Sequence, residues 1–216
     1  ARSIIFLAYG VLLATTLKKY HQDKTVSLYI CENGFISINP PLTKFRLGSL
    51  STRTTHPVYL ALIQRILDAA KLNVRIENPY QFMTKGRMLA QCVDQGFLKK
   101  HAANTTSCGR FARNGFKHCG RCVPCLIRRS AFHAWGQKDN TTYVFDDLSR
   151  DDPSYAGYDD VRAAGIAIES VAADGVAAWI GSSLSSRLIP NLAPYHDVVK
   201  RGLIELEAFM KAAGVK

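Results

Sequence analysis

The sequence predicts an α/β fold: a parallel sheet with covering helices, a four-cysteine metal knuckle and a helical tail. Three observations carry this prediction. Helical and strand-like patterns alternate over the first 93 residues, which is typical of parallel sheets. Four cysteines lie within 18 residues, and residues 161–213 repeat apolar side chains with a period near 3.6.

The first half of the chain supplies the sheet. Arg2–Tyr20 has apolar residues at helical spacing, and we expect a buried helix. Thr25–Cys31 is β-branched and apolar and ends at Glu-Asn-Gly, which predicts a buried strand followed by a turn. Residues 32–56, rich in Asn, Pro, Ser and Thr, are predicted to form a long loop.

A second helix–strand–helix run follows. Pro57 suits the first turn of a helix capped by Thr55 or His56 and running to Ala70. The alternation over residues 73–77 predicts a short strand, and Thr84 is placed to cap a helix that runs to about Val93. After the cysteines, residues 123–135 are predicted to be helical.

Charge divides the chain near residue 137. Residues 1–136 hold 20 Lys/Arg and 5 Asp/Glu, whereas residues 137–216 hold 8 and 12. We therefore predict a body over 1–136, a polar linker over 137–160 and a helical extension over 161–216, with helices at 161–180 and 196–213. A basic body and an acidic tail imply an anionic partner for the body, docking of the tail onto it, or a protein partner for the tail.

No membrane anchor or secretion signal is predicted. The most apolar run, Ile4–Ala14, has 11 residues, fewer than the roughly 20 that span a bilayer. CxxC spacing in a chain of this size favours metal over disulfides, so we expect a cytoplasmic protein. The sequence opens with Ala inside an apolar helix, and we expect it to be the C-terminal portion of something longer.

The cysteine cluster predicts one structural Zn²⁺ bound by Cys108, Cys119, Cys122 and Cys125. Gly120 gives the knuckle a free backbone, and Pro124 restricts the entry to the next helix. An iron–sulfur cluster, a redox pair or inert buried thiols remain alternatives. His118 is expected on the surface, and Cys31 and Cys92 in the core.

These segments occur in a recognisable order. The stretches are Arg2–Ala14, Ile30–Gly34, Thr55–Gln64, Thr84–Met88, and Ser107–Cys108 with Cys119–Phe132 (CGRCVPCLIRRSAF). Together they resemble 7-cyano-7-deazaguanine synthases, which belong to the pyrophosphatase-loop ATPase superfamily. The resemblance implies the C-terminal part of a Rossmann-like sheet of the adenine nucleotide alpha hydrolase type.

The resemblance also implies a reaction. ATP, with Mg²⁺, would adenylate the carboxylate of 7-carboxy-7-deazaguanine, an amine would attack to give an amide, and a second ATP would drive dehydration to the nitrile. Glu32 and Asn33, at the carboxyl end of a strand, could bind a guanine-like edge. Arg53, Thr54, Thr55 and Lys85 could hold carboxylate or phosphate. No catalytic residue is assigned.

Two departures from the family stand out. Thr54 occupies the position of the family's loop Asp, and the Ser-Gly-Gly-x-Asp-Ser loop that would hold ATP is not found in this sequence. We therefore expect another segment or chain to supply that loop, an oligomer, and no ATP turnover by this chain alone. The acidic tail is similar to extensions in relatives from antiviral operons, where the acceptor would be a protein amine. A zinc-knuckle nucleic-acid-binding module is the alternative from another class.

Overall fold

The structure, a computed structural model, describes residues 2–43, 46, 53–149 and 160–215. The helices and strands of these residues are, in chain order, α1 (Arg2–Thr15), β1 (Val26–Tyr29), α2 (Gly34–Ile38), α3 (Pro57–Ala69), β2 (Val74–Glu77), α4 (Lys85–Ala90), α5 (Gln95–His101), α6 (Val123–Trp135), α7 (Asp160–Asp174), α8 (Val176–Leu184) and α9 (Ala193–Ala212). Short 3₁₀ turns cover Tyr20–Gln22, Ala102–Asn104 and Ala112–Asn114.

The two strands pair in parallel, as the sequence predicts. The register runs from Val26 opposite Val74 to Tyr29 opposite Glu77. Parallel strands need a crossover connection, which α2 and α3 provide here. The carboxyl ends of β1 and β2 therefore lie side by side, where open α/β sheets place their ligands.

The largest core lies between five helices: α2, α6, α7, α8 and α9. Its fully buried side chains include Phe35, Ile38, Leu126, Ile180, Val198, Val199 and Leu206. Helix α9 packs on both α2 and α6. Because α9 lies in the predicted tail, the structure shows the tail docked onto the body. This docking was one of the outcomes predicted from the charge division. The division into 1–136, 137–160 and 161–216 stays a prediction.

Local signals explain how these helices begin. The His56 ring accepts a hydrogen bond from the Val58 N–H at 3.3 Å, so His56 caps α3 ahead of Pro57. The Thr84 hydroxyl accepts one from the Arg87 N–H at 3.2 Å and caps α4, as predicted. The predicted helix of residues 123–135 is confirmed as α6.

The prediction that the first helix is buried is wrong. In α1 only Leu7 and Ala14 are buried among the residues whose side chains the structure describes, while Phe6 is 75% exposed and Leu13 66% exposed. The reason is geometric, because two strands of four residues cover one narrow stripe of a 14-residue helix. Ala14 packs with Val26, Leu67 and Val74 in a second, smaller core.

Other boundaries also differ from the sequence prediction. The stretch expected to be loop contains α2, because the Asn33 side chain accepts from the Ile36 N–H at 3.0 Å and starts a helix. Helix α5 was not predicted. The expected helix over 161–180 is divided at Gly175, whose φ of +80° ends α7. Residues 44–45, 47–52 and 150–159 of the predicted loop and linker lie outside the described residues. No helix of the described chain is long and apolar enough to cross a membrane.

Candidate metal centre and ligand-binding site

The four cysteines of the knuckle converge as predicted. Their Sγ atoms all lie within 4.8 Å of one another and all four residues are buried. The Cys119–Cys125 and Cys108–Cys122 sulfur pairs are each 3.9 Å apart. Four thiolates about 2.3 Å from one tetrahedral ion have sulfurs about 3.8 Å apart, whereas disulfide sulfurs are about 2.05 Å apart. The cluster therefore fits a bound metal ion such as zinc and not a pair of disulfides.

The ionisation of these thiols also favours a cation. Hydrogen bonds with the Cys122 and Cys125 thiols lower the pKa of Cys119. The same contacts with Cys119 raise the pKa of Cys122 to about 12 and also raise that of Cys125. One ionised sulfur thus suppresses ionisation of its neighbours. A divalent cation would remove this conflict, because it stabilises every thiolate that it binds.

The backbone around the sulfurs suits thiolate ligands. The N–H groups of Arg110 and Cys119 lie 3.3 Å from the Cys108 Sγ, and the Cys122 N–H lies 3.3 Å from the Cys119 Sγ. These donors stabilise negative sulfur. Gly120 has φ +89°, and a Cβ there would lie 2.2 Å from the Phe145 carbonyl oxygen. The glycine predicted at the knuckle is therefore required.

Aromatic side chains cover the cluster. Phe111, Tyr143 and Phe145 pack against the cysteines. The Phe145 N–H donates to the Cys119 carbonyl at 3.1 Å, and the Val144 N–H donates to the His118 carbonyl at 2.9 Å. The segment 143–145 of the predicted linker thus lies directly over the metal site.

Three sequence predictions about neighbouring residues are wrong. His118 is buried rather than on the surface, because its Nε2 accepts from the Ser107 N–H at 3.2 Å and its ring lies between Phe111 and Tyr143. Cys31 is exposed and Cys92 is half-buried. Cys31 follows a strand with few elements over it, so its apolar neighbours in sequence do not bury it.

Arg128, one of the basic residues beside the knuckle, is a structural centre. It is 2% exposed. Its guanidinium donates to the Ala102 carbonyl at 2.7 Å and to the hydroxyls of Thr105 and Thr141 at 2.8 Å. These bonds tie α6 to the segments before and after the metal site.

A second cluster lies at the carboxyl ends of the strands. Glu32 and Asn33 follow β1, Asn78 follows β2, and Lys85 begins α4. The Asn78 side chain donates to the Glu32 carbonyl at 2.9 Å, which ties the two strand ends together. Asn33 is 1% exposed, and its Nδ2 donates to the Glu32 Oε1 at 2.7 Å. Asn33 thus orients the Glu32 carboxylate and caps α2 at the same time.

Glu32 and Lys85 are coupled electrostatically. Burial raises the pKa of Glu32, while the Lys85 charge lowers it. Burial lowers the pKa of Lys85, the Glu32 charge raises it, and the Arg128 charge lowers it. Among the described residues Lys85 makes no ion pair or hydrogen bond. The structure thus brings a half-buried carboxylate, Glu32, and a half-buried cation, Lys85, near enough for each charge to shift the pKa of the other.

Two of the remaining candidates, Thr54 and Thr55, lie at a cavity between α1 and β1. Thr54 and Thr55 line a cavity of about 340 Å³ with Leu28, Tyr29 and Ile30 at its strand wall. The Arg53 Nε is buried without a hydrogen-bond partner among the described residues. No described hydrogen bond or ion pair joins these residues to Lys85, so the structure groups the predicted site residues into two sets.

Sequence reasoning missed several residues of the site. Asn78 follows a predicted strand directly, a position that could have singled it out. Glu205 gave no such signal, because it lies on the tail and contacts Thr84 only through the tertiary fold. His56, expected only as a possible cap, also bonds the tail: its Nε2 lies 2.8 Å from the Ser183 carbonyl.

Comparison with known proteins finds similarity over part of the chain. The model of the family described as "Queuosine biosynthesis protein QueC" matches residues 54–136. The 7-cyano-7-deazaguanine synthase of Rhizobium etli is 37% identical over 93 residues, which are 40% of this chain and 36% of that protein. The synthase of Paracoccus denitrificans is 33% identical over 99 residues, 44% of this chain and 39% of that protein.

The matched part is a fraction of the relatives. In these alignments the chain spans less than two-fifths of the curated synthases it matches. No solved structure gives a significant match. The matched segment contains α3, β2, α4 and the whole cysteine knuckle. Through that segment, this chain is similar to the QueC family and to 7-cyano-7-deazaguanine synthases.

Proposed function

We propose that the chain is part of an ATP-dependent amide- and nitrile-forming ligase that acts on 7-carboxy-7-deazaguanine. The observation that supports this most is the position of Glu32 and Lys85: Glu32 follows β1, Lys85 begins α4, and the charge of each shifts the pKa of the other. Lys85 lies within the segment that matches the QueC family, and the metal knuckle follows in the same segment. A half-buried carboxylate and a half-buried cation near each other suit a ligand with both hydrogen-bond donors and an anionic group.

The metal in this proposal is structural Zn²⁺ held by Cys108, Cys119, Cys122 and Cys125. A site of four thiolates leaves no coordination position for a substrate, so the ion supplies folding free energy and no chemistry. It fixes the start of α6, whose other residues contact α4 and α9. By fixing α6, the knuckle therefore stabilises the position of α4, which carries Lys85.

Each crevice residue has a proposed binding role. The Glu32 carboxylate accepts hydrogen bonds from the guanine-like edge, and Asn33 holds that carboxylate in place. Lys85 neutralises the carboxylate that is converted to the amide. Arg53, Thr54 and Thr55 bind a carboxylate or phosphate group, and the Arg53 Nε, unpartnered among the described residues, supports a ligand near Arg53. These residues bind and orient; proton transfer is not assigned to any of them.

The Ser-Gly-Gly-x-Asp-Ser loop that would hold the phosphates of ATP is not found in this sequence. We therefore derive no step through ATP or Mg²⁺. We propose that the loop is supplied by a further segment or a partner chain, in an oligomer in the cytoplasm, and that this chain alone does not turn over ATP. The relatives described above are named for nitrile formation, so neither ligation to a protein amine nor nucleic-acid binding is favoured.

Direct titration with 7-carboxy-7-deazaguanine tests the proposal. We expect saturable binding by calorimetry, and at least tenfold weaker binding by Lys85→Ala, because hydrogen bonds to charged groups contribute about 1.5–3 kcal/mol. Lys100→Ala, which removes an exposed lysine, is the matched control and should bind normally. Absence of binding, or equal affinity in the Lys85→Ala protein, would argue against this site.

ATP hydrolysis provides an independent check. Phosphate release from ATP should stay at background when the pure chain is mixed with 7-carboxy-7-deazaguanine and ammonium. Turnover by the pure chain would show that the ATP site lies within this sequence.

A further inference from the structure

The position of Lys85 is fixed by the contacts of the residues next to it in sequence, and not by a hydrogen bond or ion pair of the Lys85 side chain with any described residue. It makes no ion pair or hydrogen bond in the described part of the chain. Its ammonium group is nevertheless largely withdrawn from solvent, and burial lowers its pKa. The position of a side chain held in this way depends on the backbone that carries it, here the first turn of α4.

One carboxylate holds both residues that flank Lys85. The Thr84 hydroxyl donates to the Glu205 Oε1, and the Gly86 N–H donates to the Glu205 Oε2 at 3.3 Å. The Thr84 hydroxyl also accepts from the Arg87 N–H, so the cap of α4 and the contact with Glu205 share one oxygen. Burial raises the pKa of Glu205, whereas the bonds from Thr84 and Gly86 lower it.

The packing at this point is close. A Cβ on Gly86 would lie 2.7 Å from the Ala134 Cβ on α6 and 2.9 Å from the Glu205 carboxyl carbon on α9. The first turn of α4 is therefore pressed against both helices. The first turn of α4, which carries Lys85, cannot move without breaking the bonds to Glu205 or colliding with α6.

We infer that Glu205 of the C-terminal tail is a positioning residue for Lys85, so that the tail completes the ligand crevice. Glu205 lies outside the segment that matches the QueC family. Glu205 makes no ion pair with Lys85 among the described residues, and its described hydrogen bonds go to Thr84 and Gly86. We infer that its effect on Lys85 passes through these two residues. The inference relies on the proposed function only for what Lys85 binds.

The test observes Lys85 itself, without substrate. The lysines of the full chain are reductively methylated with ¹³C, their resonances are followed by NMR against pH, and Lys85 is assigned with a Lys85→Arg variant. In Glu205→Ala we expect the Lys85 resonance to move and its pKa to rise towards that of exposed lysines. In Glu205→Gln we expect a smaller change, because Gln retains an acceptor for Thr84 and loses the one for Gly86.

Glu207→Gln is the matched control, because Glu207 lies on the same helix and bonds to Lys211 at the surface. It should leave Lys85 unchanged. Should Glu205→Ala fail to fold, Glu205→Gln and Thr84→Val decide the matter. A Lys85 resonance and pKa that stay as in the natural chain in folded variants would overturn the inference, whatever the loss of stability. Failure to bind a deazaguanine would affect only the proposed function.

Discussion

The His56 Nε2 lies 2.8 Å from the Ser183 carbonyl oxygen, although 127 residues separate them. His56 caps α3 and Ser183 lies near the end of α8, so this one bond joins the start of a body helix to the tail. Both residues are buried. The carbonyl can only accept, so the Nε2 carries the proton of the neutral ring and Nδ1 accepts from Val58.

Stability should therefore fall as the solution becomes acidic. Burial first, and the Arg53 charge second, lower the pKa of His56 from 6.5 to about 4. Below pH 6.5 the unfolded chain binds a proton that the folded chain does not, so stability is lost as pH falls from 6.5 to 4. Between pH 7.5 and 5.5 we expect the free energy of unfolding to decrease by about 1.4 kcal/mol from this residue.

Urea unfolding of the natural chain and of His56→Asn at several pH values measures this effect. Asn retains a capping oxygen and does not titrate in this range. The difference between the two proteins removes the contribution of His118, whose pKa is also lowered by burial. Parallel curves for the two proteins would show that His56 is not the titrating group.

Metal removal should unfold the region around residues 104–136. Structural zinc supplies folding free energy, and a loss of about 5 kcal/mol would lower the Tm of a chain this size by roughly 10–20 °C. Elemental analysis before and after chelation, with thermal unfolding followed by circular dichroism, checks the prediction. An unchanged Tm in a verified metal-free sample would contradict it, and iron in place of zinc would support the iron–sulfur alternative.

Gly120→Ala should prevent metal binding. The left-handed backbone at this position costs a Cβ-bearing residue about 1–2 kcal/mol, and the contact with the Phe145 carbonyl adds to it. We expect substoichiometric metal and a lower Tm. The control is Gly109→Ala in the same knuckle, where a Cβ meets nothing within 4 Å. Equal metal content in the two variants would contradict the geometry at Gly120.

Removing Asp160 should destabilise the first turn of α6. Its Oδ2 accepts from the Val123 N–H at 2.8 Å, directly after the ligand Cys122. Hydrogen bonds to charged groups contribute about 1.5–3 kcal/mol, so Asp160→Ala should lose about 2 kcal/mol in urea unfolding. The exposed Asp174→Ala is the comparison and should lose less than about 0.5 kcal/mol. An equal loss of unfolding free energy in the two variants would show that the bond from Val123 to Asp160 does not stabilise α6.

Much of the fold was accessible from local patterns. Cap residues such as Thr84, the glycine and cysteine spacing of the knuckle, and the alternation of helix and strand all act within a few residues, so the sequence alone predicts them. The proximity of Glu32 and Asn78 follows a general rule, since parallel strands end at one edge of a sheet, whereas the proximity of Lys85 to Glu32 depends on where the start of α4 packs.

The rest depends on contacts between distant segments. An apolar pattern indicates which face of a helix favours burial. Whether the apolar face of α1 is buried depends on which other elements pack against it. His118 shows the opposite case: a polar ring that was expected on the surface is buried, because Phe111 and Tyr143 pack on either side of it. Glu205 reaches Thr84 across 121 residues, and no spacing rule connects them.

The segment 143–145 has a kinetic consequence. Its backbone is hydrogen-bonded to His118 and Cys119, and the Tyr143 and Phe145 rings pack against the four buried cysteines. Release of an ion held there would require this segment to move away. The exchange rate would then be set by opening of the protein, and adding more chelator beyond a threshold would not hasten it.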